Sequence, residues 1–172
     1  ESDAAVRALR FMQASLLAEP RLVPRAALAW HEEETRFAFQ NGQAALMRNW
    51  PYAFPLMQDS ARSRVADRFD VAPMPAAPGG TPTAALGGGQ LAINAYSEHP
   101  EAAYRLIEYL LRPEQMLERA GVVGQYPTRP SLYDDSATAS VLPVPPASAR
   151  RIIEHTRPRP VTPVYTELSQ IL

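Results

Sequence analysis

The sequence predicts an α/β fold, and three observations lead to that prediction. Residues 100 to 111 carry an apolar stripe at helical spacing, and residues 90 to 96 alternate apolar with polar side chains. Segments rich in Pro and Gly separate such stretches. Strands interleaved with helices are typical of an α/β domain. With 172 residues, 46% of them hydrophobic, the chain is long enough to bury a core of its own.

Two helices are predicted in the first quarter of the chain. Ser2 is placed to cap the first, whose apolar positions recur at helical spacing as far as Leu16. The second runs from Glu32 to Gln40, because three acids favour its N-terminus and the turn Asn41-Gly42 favours its end.

Two further helices follow the glycine-rich middle of the chain. Pro100 suits a first helical turn, where its missing N–H costs nothing, and the apolar stripe continues from there to Leu111. Pro113 is predicted to start the next helix, which Gly121 ends.

Three strands are predicted from short apolar or alternating runs. They are Ala44 to Met47, Phe69 to Ala72 and Gln90 to Tyr96. The segment Pro73 to Gly89 contains too much Pro and Gly for a helix, and it is predicted to be a loop. The chain after residue 121 is rich in Pro, with a short helix near Ala147 to His155 and an apolar helical pattern from residue 164 to residue 172.

Composition excludes several classes of partner and cofactor. The net charge is −1 with acids and bases mixed along the chain, which gives no footprint for nucleic acid or for an anionic membrane. Cysteine is absent, so neither a disulfide nor a cysteine metal site is expected. All 17 basic residues are Arg, which excludes a phosphate-binding loop that ends in Lys and fits a GC-rich coding genome. No cofactor is predicted.

Catalytic signatures are incomplete in this sequence. The run His31-Glu32-Glu33-Glu34-Thr35 begins like the zinc motif HExxH, but Thr35 stands where the second histidine ligand is needed. No GxSxG motif occurs, and Gly87-Gly88-Gly89 lacks the spacing of GxGxxG. The adjacent acids Asp134 and Asp135 give no indication of two carboxylates facing each other across a cleft, as glycoside hydrolysis requires. We expect no enzyme and no metal site.

The order of several short motifs carries a family resemblance. FxxGxAAxxxxWPY is followed by PMP, GGGQLAINAYSEHPEAAYRLIEYLL, PEQ, GxxPTR and RPRPVTPVY, and together they span nearly the whole chain. This order resembles the bacterial ABC-transporter extracellular sugar-binding proteins of the maltose- and trehalose-binding type. Each motif alone is unspecific, so the resemblance depends on their order.

The resemblance implies a two-lobed periplasmic-binding-protein-like fold that holds a sugar between its lobes. The chain then corresponds to most of the C-terminal lobe, with residues 1 to 121 as an α/β lobe containing a short mixed sheet flanked by helices. Residues 122 to 172 become a Pro-rich crossover or hinge segment whose helices pack on this lobe or on a missing N-terminal lobe. The abrupt first residues and the apolar last ones fit a fragment of a longer protein.

The resemblance also implies partners and a location. The expected partners are a sugar, an ABC-transporter membrane permease and the N-terminal lobe of the same protein. The expected location is periplasmic or extracellular, with the protein either free or attached to the membrane through a lipid anchor. Among sugars, the resemblance favours trehalose, maltose or another α-linked glucoside.

Trp50 and Tyr52 are the predicted stacking surface of the sugar site. The C–H face of a pyranose packs on an aromatic ring, and both residues lie in a turn that Pro51 stiffens. The alternative is that both are core aromatics, which is our expectation for Phe54.

Gly88, Gly89, Gln90 and Arg129 are the predicted polar contacts. The glycines allow a ligand to approach backbone N–H groups, and Gln90 offers both a donor and an acceptor. Arg129 matches the arginine of the family's PxR segment and can donate two parallel hydrogen bonds. The alternatives are a plain strand connection for the glycines and a salt bridge for Arg129.

Two other functions stay open at this point. One is a fragment of a carbohydrate-active enzyme. The other is a protein-interaction module that uses the Pro-rich piece Pro158 to Pro163 as a recognition segment.

Overall fold

The fold is that of a computed structural model, which describes residues 2–171. Within this range the chain is α/β, as predicted, with helices dominating. Two 3₁₀ turns, Arg25–Ala29 and Pro130–Asp134, accompany the longer elements. These elements are α1 (Asp3–Leu17), α2 (Glu32–Gln40), α3 (Ala53–Met57), β1 (Ala84–Ala85), α4 (Pro100–Leu110), α5 (Pro113–Val123), α6 (Ser136–Ala139), α7 (Pro146–Glu154), β2 (Thr156–Arg157) and α8 (Tyr165–Ile171).

The first helix begins, and the second helix ends, where capping residues place them. The Ser2 hydroxyl accepts a hydrogen bond from the Ala5 N–H at 3.2 Å, so this predicted cap is confirmed. After α2, the N–H groups of Gly42 and Gln43 donate back to carbonyls in the last turn of the helix, at 2.8 and 2.9 Å. Gly42 takes a φ of +73°, the left-handed conformation that this type of helix ending requires.

Helix α5 continues past the glycine that was predicted to end it. Gly121 is helical, and the helix runs to Val123, where Gly124 adopts a φ of +71° and donates its N–H to the Ala120 carbonyl at 3.1 Å. A glycine in the left-handed conformation after the last turn ends a helix, whereas one inside the last turn only weakens it. The prediction of the start of α5 at Pro113 is confirmed. Helix α8 matches the predicted pattern up to Ile171, and residue 172 lies outside the described residues.

All three predicted strands are wrong within the described residues. Ala44 to Met47, Phe69 to Ala72 and Gln90 to Tyr96 are irregular, and no β-ladder includes them. A strand needs a neighbour for its backbone N–H and C=O groups, and an alternating side-chain pattern does not provide that neighbour.

The observed sheet forms elsewhere and is parallel rather than mixed. β1 lies inside the segment predicted to be a loop, and it pairs with β2 from the Pro-rich part of the chain. The Leu86 N–H extends this pairing by donating to the Arg157 carbonyl at 2.8 Å. The ladder therefore ties the loop that precedes Gly87 to the segment that follows α7.

The main hydrophobic core lies under the C-terminal third of the molecule. It joins Ala120 of α5 to Ala149 of α7, with Tyr133, Leu142 and Val144 buried between them. Residues from both sides of the predicted boundary at 121 therefore share one core, and the division into two segments stays a prediction. Within residues 2–171, no helix is long and apolar enough to span a membrane.

A smaller aromatic cluster supports the segment between α2 and α3. The Phe39 and Phe69 rings meet edge to face at 5.9 Å between centroids, and Phe54 lies 5.0 Å from Phe69. Edge-to-face and tilted packing are favoured arrangements for aromatic rings. Phe54 thus packs in this cluster, as predicted, and fixes the start of α3 just after Trp50 and Tyr52.

Candidate functional site

Trp50 and Tyr52 lie together above the first turn of α2. The indole Nε1 of Trp50 donates to Glu32 Oε1 at 3.2 Å, and the hydroxyl of Tyr52 donates to Glu33 Oε1 at 2.6 Å. Asn49 secures the turn, since its side chain accepts from the Trp50 N–H at 2.8 Å and donates to the Glu32 carbonyl at 3.0 Å. Both aromatic side chains are half-buried, so each keeps part of its surface open to solvent.

The glycine run meets the indole of Trp50. A Cβ on Gly87 would lie 2.5 Å from Trp50 Cη2 and 2.7 Å from Cζ3, which is too close for any side chain. Gly88 and Gly89 follow directly and are exposed, with open space where a side chain would stand. The structure therefore brings the predicted stacking residue and the predicted glycine loop to one place, with Gln90 exposed at its end.

Gly124 connects this site to the main core. Its ideal Cβ position lies 2.8 Å from the Pro51 carbonyl oxygen and 3.0 Å from Pro55 Cδ. The turn that carries Trp50 and Tyr52 thus rests directly on the backbone at the end of α5. A glycine is needed here both for its positive φ and for this close approach.

Arg129 lies at the C-terminal end of α4. Its side chain is exposed, and Nε donates to the Leu111 carbonyl at 3.2 Å, just after the last turn of that helix. Its own carbonyl accepts from the Leu132 N–H at 3.1 Å in the following 3₁₀ turn. In this structure Arg129 therefore caps α4, while its role toward a ligand stays a prediction.

The carboxylates and the phenol at the two aromatic side chains keep their protonation states around neutral pH. Hydrogen bonding to Arg36, and then to Tyr52, lowers the pKa of Glu33. A backbone N–H, followed by the indole N–H, lowers the pKa of Glu32. Burial, and secondly the neighbouring Glu33 carboxylate, raises the pKa of Tyr52 to about 12. At neutral pH the carboxylates are therefore charged and the phenol keeps the proton that it donates.

The sequence pattern indicated only part of this arrangement. Glu32 and Glu33 were interpreted as favourable charges at a helix start, and nothing in their spacing connects them to aromatics 18 and 19 positions later. Gly87 carried no signal beyond the glycine run. Within residues 2–171, no group of three or more His, Asp or Glu side chains is arranged to hold a metal ion.

Residues 1–143 of this chain match the family model described as bacterial extracellular solute-binding protein. The chain belongs to the bacterial extracellular solute-binding protein family. The resemblance inferred from the order of its motifs is thereby confirmed at the level of the family.

Individual members of the solute-binding family support the same assignment. The chain is 40% identical over 139 residues to a probable ABC transporter-binding protein of Deinococcus radiodurans, covering 81% of this chain and 32% of that protein. It is 30% identical over 146 residues to a probable amino-acid ABC transporter periplasmic-binding protein of Sinorhizobium fredii, covering 85% of this chain and 32% of that protein. The chain thus spans about a third of the length of these curated relatives.

A solved solute-binding structure matches the fold closely. Maltose-bound MalE3 of T. maritima superposes with a TM-score of 0.89 at 38% sequence identity, covering 99% of this chain and 43% of that one. The predicted periplasmic-binding-protein-like fold is therefore confirmed, and the chain forms part of such a fold.

Proposed function

We propose that this chain is the C-terminal-lobe part of an ABC-importer receptor that binds a sugar between two lobes. Trp50 and Tyr52 form one wall of the cleft, and Gly88, Gly89 and Gln90 offer backbone and amide groups to the hydroxyl rim of the sugar. Arg129 completes the polar contacts by exchanging its bond to α4 for sugar hydroxyls when the lobes close. The preferred ligands are disaccharides such as trehalose or maltose.

The observation that carries this proposal is the aromatic pair. Two half-buried rings are held by carboxylates at their polar ends, and Gly87 lies without a side chain against the Trp50 ring, so apolar ring surface lies beside polar groups. A pyranose presents a C–H face and a rim of hydroxyls, which suits such a surface. The similarity to a maltose-bound protein over nearly the whole chain supports the same ligand class.

The receptor acts by binding without turnover. Contacts from both lobes favour the closed state once ligand is present, and the closed form delivers the sugar to a membrane permease. The family is one of solute-binding proteins, and the location we propose is periplasmic or extracellular, with or without a lipid anchor. The same proposal holds that the protein is not an enzyme. A prolonged incubation with maltose or trehalose should leave the disaccharide intact, and release of glucose would contradict it.

Substitution of Trp50 tests the stacking surface. In the complete protein, Trp50→Ala should weaken disaccharide affinity by about fivefold or more, because a stacked aromatic contact contributes about 1 kcal/mol beyond its buried area. Isothermal titration calorimetry measures the affinity. Trp30→Ala is the matched control, since Trp30 is also half-buried but follows the first 3₁₀ turn and forms no hydrogen bond with Trp50 or Tyr52 in residues 2–171. Equal affinities in wild type and Trp50→Ala would disprove the stacking role.

Amino acids are a second ligand class that specific observations favour. One relative is named as a probable amino-acid receptor. The carboxylates of Glu32 and Glu33 beside two aromatic rings also form surroundings that attract an ammonium group. The calorimetric series should therefore include neutral and basic amino acids, and binding of these without binding of disaccharides would replace the sugar by an amino acid in the proposal.

A further inference from the structure

Three consecutive acids in the first turn of α2 have three different partners. Glu34 accepts from the His31 N–H at 2.9 Å and thereby caps its own helix. Glu32 and Glu33 reach instead to the side chains of Trp50 and Tyr52. A favourable interaction with the helix dipole is common to all three acids, so it does not explain why two of them hold aromatic rings.

Glu33 is backed by a buried polar chain. Its second carboxylate oxygen accepts from Arg36, whose guanidinium also donates to the Gln40 side chain. Arg36 and Gln40 are only 7% and 5% exposed. The Gln40 amide donates in turn to the Arg62 carbonyl at 2.8 Å. The hydroxyl of Tyr52 is therefore connected through α2 to the loop that follows α3.

Trp50 is held at both ends of its indole. Glu32 accepts from Nε1 at one end, and Gly87 packs against Cη2 and Cζ3 of the six-membered ring at the other. A ring with a fixed N–H and a blocked opposite edge has few rotamers left. The two contacts come from α2 and from the glycine run, so the ring orientation depends on elements far apart in the sequence.

We propose that Glu32 and Glu33, with Arg36 and Gln40 behind them, are positioning residues that fix Trp50 and Tyr52 in the orientation that ligand binding requires. We call these four residues the α2 bracket. This inference rests on the proposed function, because it assigns how the aromatic wall of the same site is held. Affinity depends on the bracket because a ring that is already oriented loses less conformational freedom when the ligand binds.

Glu32 offers the cleanest test, since it is exposed and its loss leaves no buried charge behind. In the complete protein, Glu32→Ala should weaken binding of the cognate disaccharide or amino acid about fivefold, the cost of ordering one freed side chain when the ligand binds. Glu32→Gln keeps an acceptor for the indole N–H and should restore affinity to within about twofold of wild type. Glu34→Gln is the matched control, because it removes the same charge from the same turn and keeps the capping acceptor.

A second readout does not depend on any ligand. The indole N–H resonance of Trp50 in a ¹H–¹⁵N spectrum is assigned by its disappearance in Trp50→Phe. It should move strongly in Glu32→Ala, less in Glu32→Gln and hardly at all in Glu34→Gln. Tyr52→Phe removes the bond to Glu33 while the Glu33 pair with Arg36 remains, and it should lower affinity without moving the indole resonance.

The two readouts separate failure of this inference from failure of the proposed function. If wild type binds neither sugars nor amino acids, the proposed function fails, and the indole resonance still decides whether Glu32 holds the Trp50 N–H. An unchanged resonance in Glu32→Ala would overturn the bracket whatever the ligand. If Glu34→Gln weakens binding as much as Glu32→Ala, helix charge rather than ring positioning explains the loss, and the inference is wrong.

Discussion

Apolar side chains are buried in the C-terminal core, whereas those of helix α1 are exposed. Around α7, Tyr133, Leu142 and Val144 are buried in a continuous cluster. Along the 15 residues of α1, Ser15 is the one buried residue, while Leu9 on the apolar stripe of the helix is 64% exposed. The C-terminal core is thus formed from residues of this chain. The apolar face of α1, by contrast, is not covered by any part of residues 2–171.

The largest effect is expected in the C-terminal core. Tyr133→Ala should lower the free energy of unfolding of this chain by about 3–5 kcal/mol, as for other large buried aromatics. The side chain is 8% exposed, and its hydroxyl donates to the Pro127 carbonyl at 2.7 Å. Urea denaturation measures the change. Tyr96→Ala is the control, because Tyr96 is 93% exposed and its loss should cost less than about 0.5 kcal/mol. Equal losses would contradict the placement of the core.

A smaller effect is expected where the core meets the candidate site. Gly124 and Gly42 both have a positive φ, so an alanine at either position is strained by roughly 1–2 kcal/mol. Only Gly124 also has the Pro51 carbonyl and Pro55 within contact of a new Cβ, since nothing lies within 4 Å of that position at Gly42. Gly124→Ala should therefore cost about 1–3 kcal/mol more than Gly42→Ala in urea denaturation. If the two variants are equally stable, the turn of Trp50 does not depend on this close approach.

The structural predictions made from the sequence are confirmed where local chemistry decides the structure. The bounds of α2 follow from its acidic first turn and from Asn41-Gly42, and the start of α4 follows from Pro100. Each of these signals acts within one helical turn of the residue that carries it. Residue order over the whole chain indicated the family for a different reason, because it records common ancestry rather than local energetics.

The structural predictions are wrong where contacts between distant parts of the chain decide the structure. Leu46 was predicted to lie in a strand, but it is 90% exposed, and no strand pairs with its segment in residues 2–171. Ala84 pairs with Thr156, although neither lies in a run with strand character. The contacts of Glu32 with Trp50 and of Gly87 with the same indole are also long-range. Local propensity contains no information on such contacts, so the aromatic and glycine residues of the candidate site could be predicted but the contacts that join them could not.

The smallest effect is expected for a substitution on α1. It tests whether the apolar face of this helix packs against another part of the complete protein. Leu9→Ser should change the free energy of unfolding of this chain by less than about 0.5 kcal/mol, because the side chain is already 64% exposed. In the complete receptor that we propose, the rest of the protein packs against this face, and the same substitution should then cost about 2 kcal/mol or more.

Arg7→Ser on the same helix is the control, since an exposed arginine should have little effect on stability in either protein. Thermal and urea denaturation of both proteins provide the comparison. A cost for Leu9→Ser that appears only in the complete protein means that α1 belongs to a shared core, completed by segments outside this chain. The same small effect in both would mean that its apolar face is free in the receptor as well, and the contrast between the two regions would then be a permanent property of the protein's surface.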